Sequence, residues 1–350
     1  METQPLPSLR PLRLGELLDQ AIRLYRRNFL TFIGIIALVY VPLMVLQTAS
    51  TTILSSSLVS LRSSTSPDEI FSNYAYWGGM LSTIVVGFLQ FIFVSGIATG
   101  ALTRAVADNY LGKTTSILDA YRGIGKSWLP LIGGLLFVGL LIIAAALWWI
   151  IVPCIGWFTG FGMLVFLGAA ISPMVAPVVV LEKRGALDSV RRAWDLVRRR
   201  FWPILGYIFV LYLFNLIIVN GPVTIVNVLL TRILPLSFND STTGIVLTAI
   251  IQAIVSLVFI LIYYPLQMTA FTLIYFDLRV RTEGFDLALL TTGDADQALA
   301  TSPSQSNERF ITGTDLGNFA ILTLAAAGIY IFFVALVAAG LFLLGSLSGL

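Results

Sequence analysis

The 350-residue chain has no histidine, a single cysteine (Cys154) and only 11% charged residues. The missing histidines exclude zinc sites of the usual Cys/His type and any Ser/His or Cys/His catalytic pair. One cysteine excludes a disulfide framework. General acid or base chemistry would have to use Asp, Glu, Lys, Tyr or Arg. None of the eighteen carboxylates falls in the middle of a long apolar run, where an ionisable group would point to function. A membrane-embedded enzyme is therefore the weaker reading, and no catalytic residue, metal or cofactor is assigned. What the chain has instead is apolar mass, 57% of its residues, with a mean hydropathy of +0.92. A soluble domain of this length does not have that composition.

The few charges are clumped, and the runs between them are long enough to cross about 30 Å of hydrocarbon, which takes roughly 20 helical residues. Seven spans are expected, at about residues 29–48, 77–103, 129–152, 157–181, 201–220, 245–276 and 318–344. About 28 residues of amphipathic sequence precede the first, which is longer than a signal-peptide core and so reads as a retained span. Spans three and four are separated only by Pro153, Cys154, Ile155 and Gly156, which predicts a tight turn between antiparallel helices. Residues 222–235 read as an interfacial helix, and the run 245–276 exceeds one membrane thickness.

Alternate loops differ sharply in cations. The N-terminal segment, residues 104–128, residues 182–200 and residues 277–317 hold nineteen of the Lys and Arg, against Arg62 and Arg232 on the other side. The positive-inside rule then places the N-terminus in the cytoplasm and, with seven spans, the C-terminus outside. The seven tryptophans fall at or near the predicted span ends, as aromatic belts do.

Three basic stretches resemble one another: "LLDQAIRLYRRNFLTFIG" (17–34), "ILDAYRGIGKSWLPLIG" (117–133) and "LDSVRRAWDLVRRRFWPILG" (187–206). Each carries Leu-Asp, apolar residues at helical spacing, basic residues, and an aromatic followed five residues later by glycine: Phe29 and Gly34, Trp128 and Gly133, Phe201 and Gly206. The repeat predicts three units, each an interfacial amphipathic helix turning into a transmembrane hairpin, at about residues 10–112, 113–185 and 186–292. A basic residue near an anionic surface gains about 1 kcal/mol, whereas an Arg at the bilayer centre costs at least about 2.5 to 3.5. Lipid headgroup contact is accordingly expected for Arg23, Arg26, Arg27, Arg122, Lys126, Arg191, Arg192, Arg198, Arg199 and Arg200.

Other readings of the charged stretches are weaker. "LGKT" (111–114) lacks the first glycine of a phosphate loop, since Ala107 stands there. The arginines stop at Arg200 before the apolar run, unlike a voltage sensor, and no partner helix completes a nucleic-acid-binding pair. Asp277, Glu283 and Asp286 beside Arg279 and Arg281 read as a structural ion-pair network at a helix end. Gly96 and Gly100 form a GxxxG suited to close helix packing and to dimerisation. Gln90, Thr99, Asn215, Gln252, Gln267 and Thr269 could line a polar path, but interhelical hydrogen bonds account for them as well.

Three blocks, "LGELLDQAIRLYRRNFLTFIG", "SPMVAPVVVLEKRGALDSVRRAWDLVRRRFWPILG" and "LIYFDLRVRTEGFDLALL", together resemble the bacterial membrane-domain family named for its occurrence beside glycerophosphoryl diester phosphodiesterases. The similarity covers roughly residues 10–292 and implies an all-α, six-helix bacterial inner-membrane domain. The phosphodiesterase barrel itself, with its histidines and metal-binding carboxylates, has no counterpart here. Residues 293–317 then read as a polar cytoplasmic linker and residues 318–350 as an added seventh transmembrane helix. The expected function is a non-enzymatic, lipid-associated scaffold or membrane-organising module, with anionic membrane lipids as partners and no nucleic acid; a homo-oligomer or a membrane-protein partner is left open. The alternative is a transporter or flippase for a lipid or small amphiphile.

Overall fold

A computed structural model describes residues 10–62, 72–233, 242–300 and 311–348, and the described residues form only helices and their connections. α1 is Leu14–Arg27 and α2 Phe29–Arg62. α3 spans Tyr74–Tyr110, α4 Ile117–Ile124, α5 Trp128–Ile151 and α6 Ile155–Glu182. α7 is Ala186–Arg198. α8 runs as Phe201–Asn215, Leu216–Asn220 and Gly221–Ile233 without interruption. α9 is Thr242–Glu283, α10 Phe285–Thr292, α11 Ala295–Ala300 and α12 Gly313–Ser348. Seven of the helices (α2, α3, α5 with α4, α6, α8, α9 and α12) are long and apolar enough to cross a membrane. The chain is a multi-pass helical membrane protein.

Local chemistry sets the helix starts. Glu16 accepts a hydrogen bond from the Arg13 backbone N–H at 3.0 Å and sits in the first turn of α1. Ser116 accepts from the Asp119 N–H at 3.2 Å to begin α4, and Asn73 accepts from the Tyr76 N–H at 3.0 Å to begin α3. α2, α5 and α8 open on Phe29, Trp128 and Phe201, each a short distance after α1, α4 and α7. Pro130 and Pro203 fall in the first turn of their helices, where no N–H partner is lost.

Three spans contain a widened, π-helical turn: Phe91–Ala98, Phe166–Ile171 and Leu216–Asn220. The second and third are followed within two residues by Pro173 and Pro222. A proline there has no N–H to give, and its ring would collide with the carbonyl four residues back; a wider turn carries that carbonyl clear. In the first, the Thr99 hydroxyl binds the Val94 carbonyl at 2.9 Å. The separate interfacial helix expected at residues 222–235 does not form. Gly221–Ile233 instead prolongs α8, because the π turn accommodates Pro222 without a break; residues 234 and 235 lie outside the described residues.

The core lies toward the end that carries the basic residues, hereafter the basic end. Residues 174–182 of α6 and 269–276 of α9 are buried throughout. Around them pack Val190, Ala193, Trp194 and Val197 of α7 and Ile204, Tyr207 and Ile208 of α8. A second apolar cluster joins Tyr25, Phe32, Ile35 and Ile36 to Ala98, Leu102 and Val106 of α3. The apolar stripe of α7 thus faces other helices: Val190, Trp194 and Val197 are buried and only Leu187 is exposed, whereas α1 buries Leu17, Ala21 and Tyr25 but leaves Leu14 and Ile22 exposed.

Two differences from expectation concern the C-terminal third. Of residues 293–317, expected as a linker, 301–310 lie outside the described residues; before them α11 buries Ala298 and Leu299, while Asp296 pairs with Arg104 and Lys113, each at 3.0 Å. The seventh span is built into the core rather than appended to it. Gly162 of α6 donates its N–H to the Thr323 hydroxyl of α12 at 2.9 Å, and Phe319 is fully buried among Phe166, Trp194 and Phe201 with ring centroids 5.4 to 6.2 Å away. The Phe319 carbonyl approaches Gly162 so closely that a Cβ there would lie 2.1 Å from it.

Candidate functional site

Two arrangements meet at the end of α9, and helical spacing assigns residues to each. Tyr275, Arg279 and Glu283 recur every four residues on one face; Asp277 and Arg281 occupy another.

The first face closes a buried ion cluster. α6 ends at Glu182, and Lys183 takes up a left-handed conformation (φ 52°) that turns the chain back. α7 then runs alongside α6 and returns Arg192 to Glu182. The Arg192 Nε donates to both Glu182 carboxylate oxygens at 3.2 and 3.3 Å, and its Nη2 donates to Glu283 at 2.6 Å. Glu182 also accepts from Arg184 Nε at 2.8 Å and from the Tyr275 hydroxyl at 2.9 Å. Arg279 donates to Glu283, to the Tyr275 hydroxyl and to the Leu299 carbonyl, each at 3.2 Å, with its guanidinium over the Phe285 ring at 4.6 Å. Glu182 and Arg279 side chains are 0% and 1% exposed. Three arginines face two glutamates, so the charges nearly balance and each is hydrogen-bonded, the condition for burying them. Burial pulls the Arg192 pKa down, but hydrogen bonding to Glu283 and the charge of Glu182 outweigh it and hold the guanidinium above its ordinary value.

This corrects the sequence reading of Arg192, which is enclosed between two glutamates and not free to meet a headgroup. The Arg198 side chain is 8% exposed beside Asp195 and is likewise drawn inward. The other proposed contact residues, Arg23, Arg26, Arg27, Arg122, Lys126, Arg191, Arg199 and Arg200, are exposed. Of the expected helix-end network, Arg279 with Glu283 and Arg281 with Asp277 are paired. Sequence reasoning missed Glu182 and Tyr275. A glutamate closing an unbroken apolar run, and a tyrosine four residues before Arg279, were the available signals.

The second face borders a cleft of about 270 Å³. Asp277 accepts from the Leu12 N–H at 2.9 Å, and Arg281, paired with Asp277 at 2.7 Å, donates to the Leu12 carbonyl. The segment before α1 is thereby fixed against α9, with Arg13 at the cleft's rim opposite Arg200 and the start of α8. Tyr207, 3% exposed, lines the cleft, and its buried hydroxyl has no hydrogen-bond partner.

Gly96, Gly100 and four of the six polar span residues, Thr99, Asn215, Gln252 and Thr269, serve packing. Cβ atoms at Gly96 and Gly100 would come within 2.9 Å of Ile132 and 3.0 Å of Leu131, so the GxxxG is used against α5 of the same chain. Thr99 bonds Tyr264 at 2.8 Å, Thr269 bonds its own helix at Pro265, Gln252 bonds Asn227, and Asn215 bonds Asn220. Among the described residues no group of three His, Cys, Asp or Glu side chains could hold a metal. The fold and these sites define a polytopic helical membrane protein with a charge-rich, packed end. Compared with known proteins, the chain matches no family model, no curated protein and no solved structure.

Proposed function

We propose that this protein is a non-enzymatic, lipid-associated scaffold of the bacterial inner membrane, related to the membrane-domain family that its three basic blocks resemble and built from three helix-plus-hairpin units. Its basic end faces the cytoplasm, with the N-terminus inside and the C-terminus outside, and engages anionic headgroups. The observation that carries this is the placement of exposed cations directly before exposed apolar helix starts. Arg26 and Arg27 precede Phe29 and Leu30; Arg122 and Lys126 precede Trp128 and Leu129; Arg199 and Arg200 precede Trp202. Each pairing sets a cation at headgroup level when the apolar residue enters hydrocarbon. The carboxylates of the buried cluster, Glu182 and Glu283, are occupied by arginines, which suits a structural role better than proton transfer.

The test is native mass spectrometry of protein extracted with minimal delipidation. Phosphatidylglycerol or cardiolipin should be retained in preference to phosphatidylethanolamine, and neutralising the exposed cations of one unit should reduce the preference in part. Equal retention of anionic and zwitterionic lipid would overturn the reading.

A further inference from the structure

We infer that the cleft between the start of α1, the start of α8 and the end of α9 is a discrete binding site for the phosphate of an anionic amphiphile. Three independent features point there. Arg13 and Arg200 are both exposed at the rim, and neither forms a salt bridge among the described residues. The one acid in the cleft, Asp277, is already paired with Arg281 and the Leu12 N–H, leaving the rim net positive. The Tyr207 side chain lines the same cleft as Asp277, and its hydroxyl is buried and unpartnered. Buried polar atoms are nearly always hydrogen-bonded, so an orphaned donor beside a cationic cleft is accounted for by an acceptor that completes it. A phosphate oxygen is such an acceptor, and the two guanidiniums supply the counter-charge.

The shape favours an amphiphile. About 270 Å³ accommodates a phosphate and its glycerol or a similar small group, not acyl chains. The chains would leave past Leu14 and along the outer face of α8, where Trp202 and Phe209 are exposed. Leu17, Ile204 and Leu278 line the interior and give the attached carbon skeleton an apolar wall. The proposal rests on the reading of this end as lipid-facing. It adds one stoichiometric site to a surface otherwise contacted in a distributed way.

The experiment titrates the full-length protein in neutral detergent with short-chain phosphatidic acid, phosphatidylcholine and inorganic phosphate, and counts bound molecules by native mass spectrometry. One phosphatidic acid should be retained where phosphatidylcholine is not. The double variant Arg13→Gln/Arg200→Gln should weaken retention by about tenfold or more, and Tyr207→Phe by about three- to tenfold, the worth of one hydrogen bond. Tyr207→Phe should not lower the thermal midpoint of the empty protein, because the lost hydroxyl has no partner there; this separates lost binding from lost folding. Arg232→Gln, remote from the cleft, should change nothing. Binding of phosphatidic acid without inorganic phosphate supports a lipid source, whereas equal binding of both supports the phosphate site and assigns it to free phosphate. Unchanged retention in both cleft variants overturns the proposal even if anionic lipids are still preferred overall; loss of that preference in the unmodified protein defeats the broader functional reading instead.

Discussion

Residues 174–181 of α6 are buried one after another at the basic end, while residues 147–151 of α5, equally apolar, are exposed one after another at the opposite end. Composition does not separate the two stretches, but their surroundings do. Hydrocarbon is as apolar as leucine, so side chains facing it gain little by turning inward. On the function proposed above, the basic end meets water and headgroups, and its own charges must be satisfied. There the helices converge, glutamates pair with arginines across elements, and short helices cover the apolar stripes. On that reading, tight packing marks the place where lipid can no longer serve as solvent.

The contrast can be broken from the packed side. Glu182→Ala would leave Arg192, Arg184 and Tyr275 without their shared acceptor, and removing one partner of a buried ion pair costs about 3 to 5 kcal/mol. Thermal unfolding in detergent should show a drop for this variant at least as large as for an apolar truncation in the same core; a loss below about 1 kcal/mol would mean the cluster does not hold α6, α7 and α9 together. Trp194→Ala, emptying the space beside Phe166 and Phe319, should cost about 3 to 5 kcal/mol less any local collapse, whereas Ile150→Ala at the exposed end should stay within about 0.5 kcal/mol. Similar losses for the two would erase the distinction between the ends.

The glycines sharpen the same comparison. Gly162→Leu must displace the Phe319 backbone and should cost about 1 to 3 kcal/mol or more, while Gly139→Leu, with nothing within 4 Å, should be nearly silent. The smallest effect concerns pH. Partial burial would raise the Asp296 pKa, but hydrogen bonds and charge from Lys113 and Arg104 hold it below its ordinary value of 3.8. A depressed carboxylate contributes stability that is full above its unfolded pKa and is lost as pH falls through the folded one. The protection of α11 amides from hydrogen exchange, taken relative to their intrinsic rates, should therefore be flat above about pH 5 and fall only below 3.8; a loss of protection near neutral pH would exclude Asp296 as the contact that holds α11.

Much of the architecture was legible because its signals are local. Phe29, Trp128 and Phe201 open long helices close to the expected starts of the first, third and fifth spans, and the apolar runs located seven spans. The ion cluster was half visible: Arg279 and Glu283 lie one helical turn apart, but Glu182 and Arg192 join them from about ninety residues away, and no periodicity reports that distance. The same limit explains Arg192, whose type and neighbours match those of the exposed Arg191 and whose burial depends only on which side of α7 meets α6. Phe319 and Tyr207 were hidden differently, because an aromatic in an apolar run looks alike whether it meets lipid, another ring or a ligand.

The widened turn at Phe166–Ile171 has a consequence for inheritance. An α-helix advances about 100° per residue, so losing one residue between Met174 and Val180 would swing Glu182 away from Arg192 by that angle. Losing one within Phe166–Ile171 could instead be absorbed by tightening the turn, with the flanking faces kept in place. The span therefore contains one short tract where length is negotiable, set between two where it is not, and deletion scanning along α6 would map them.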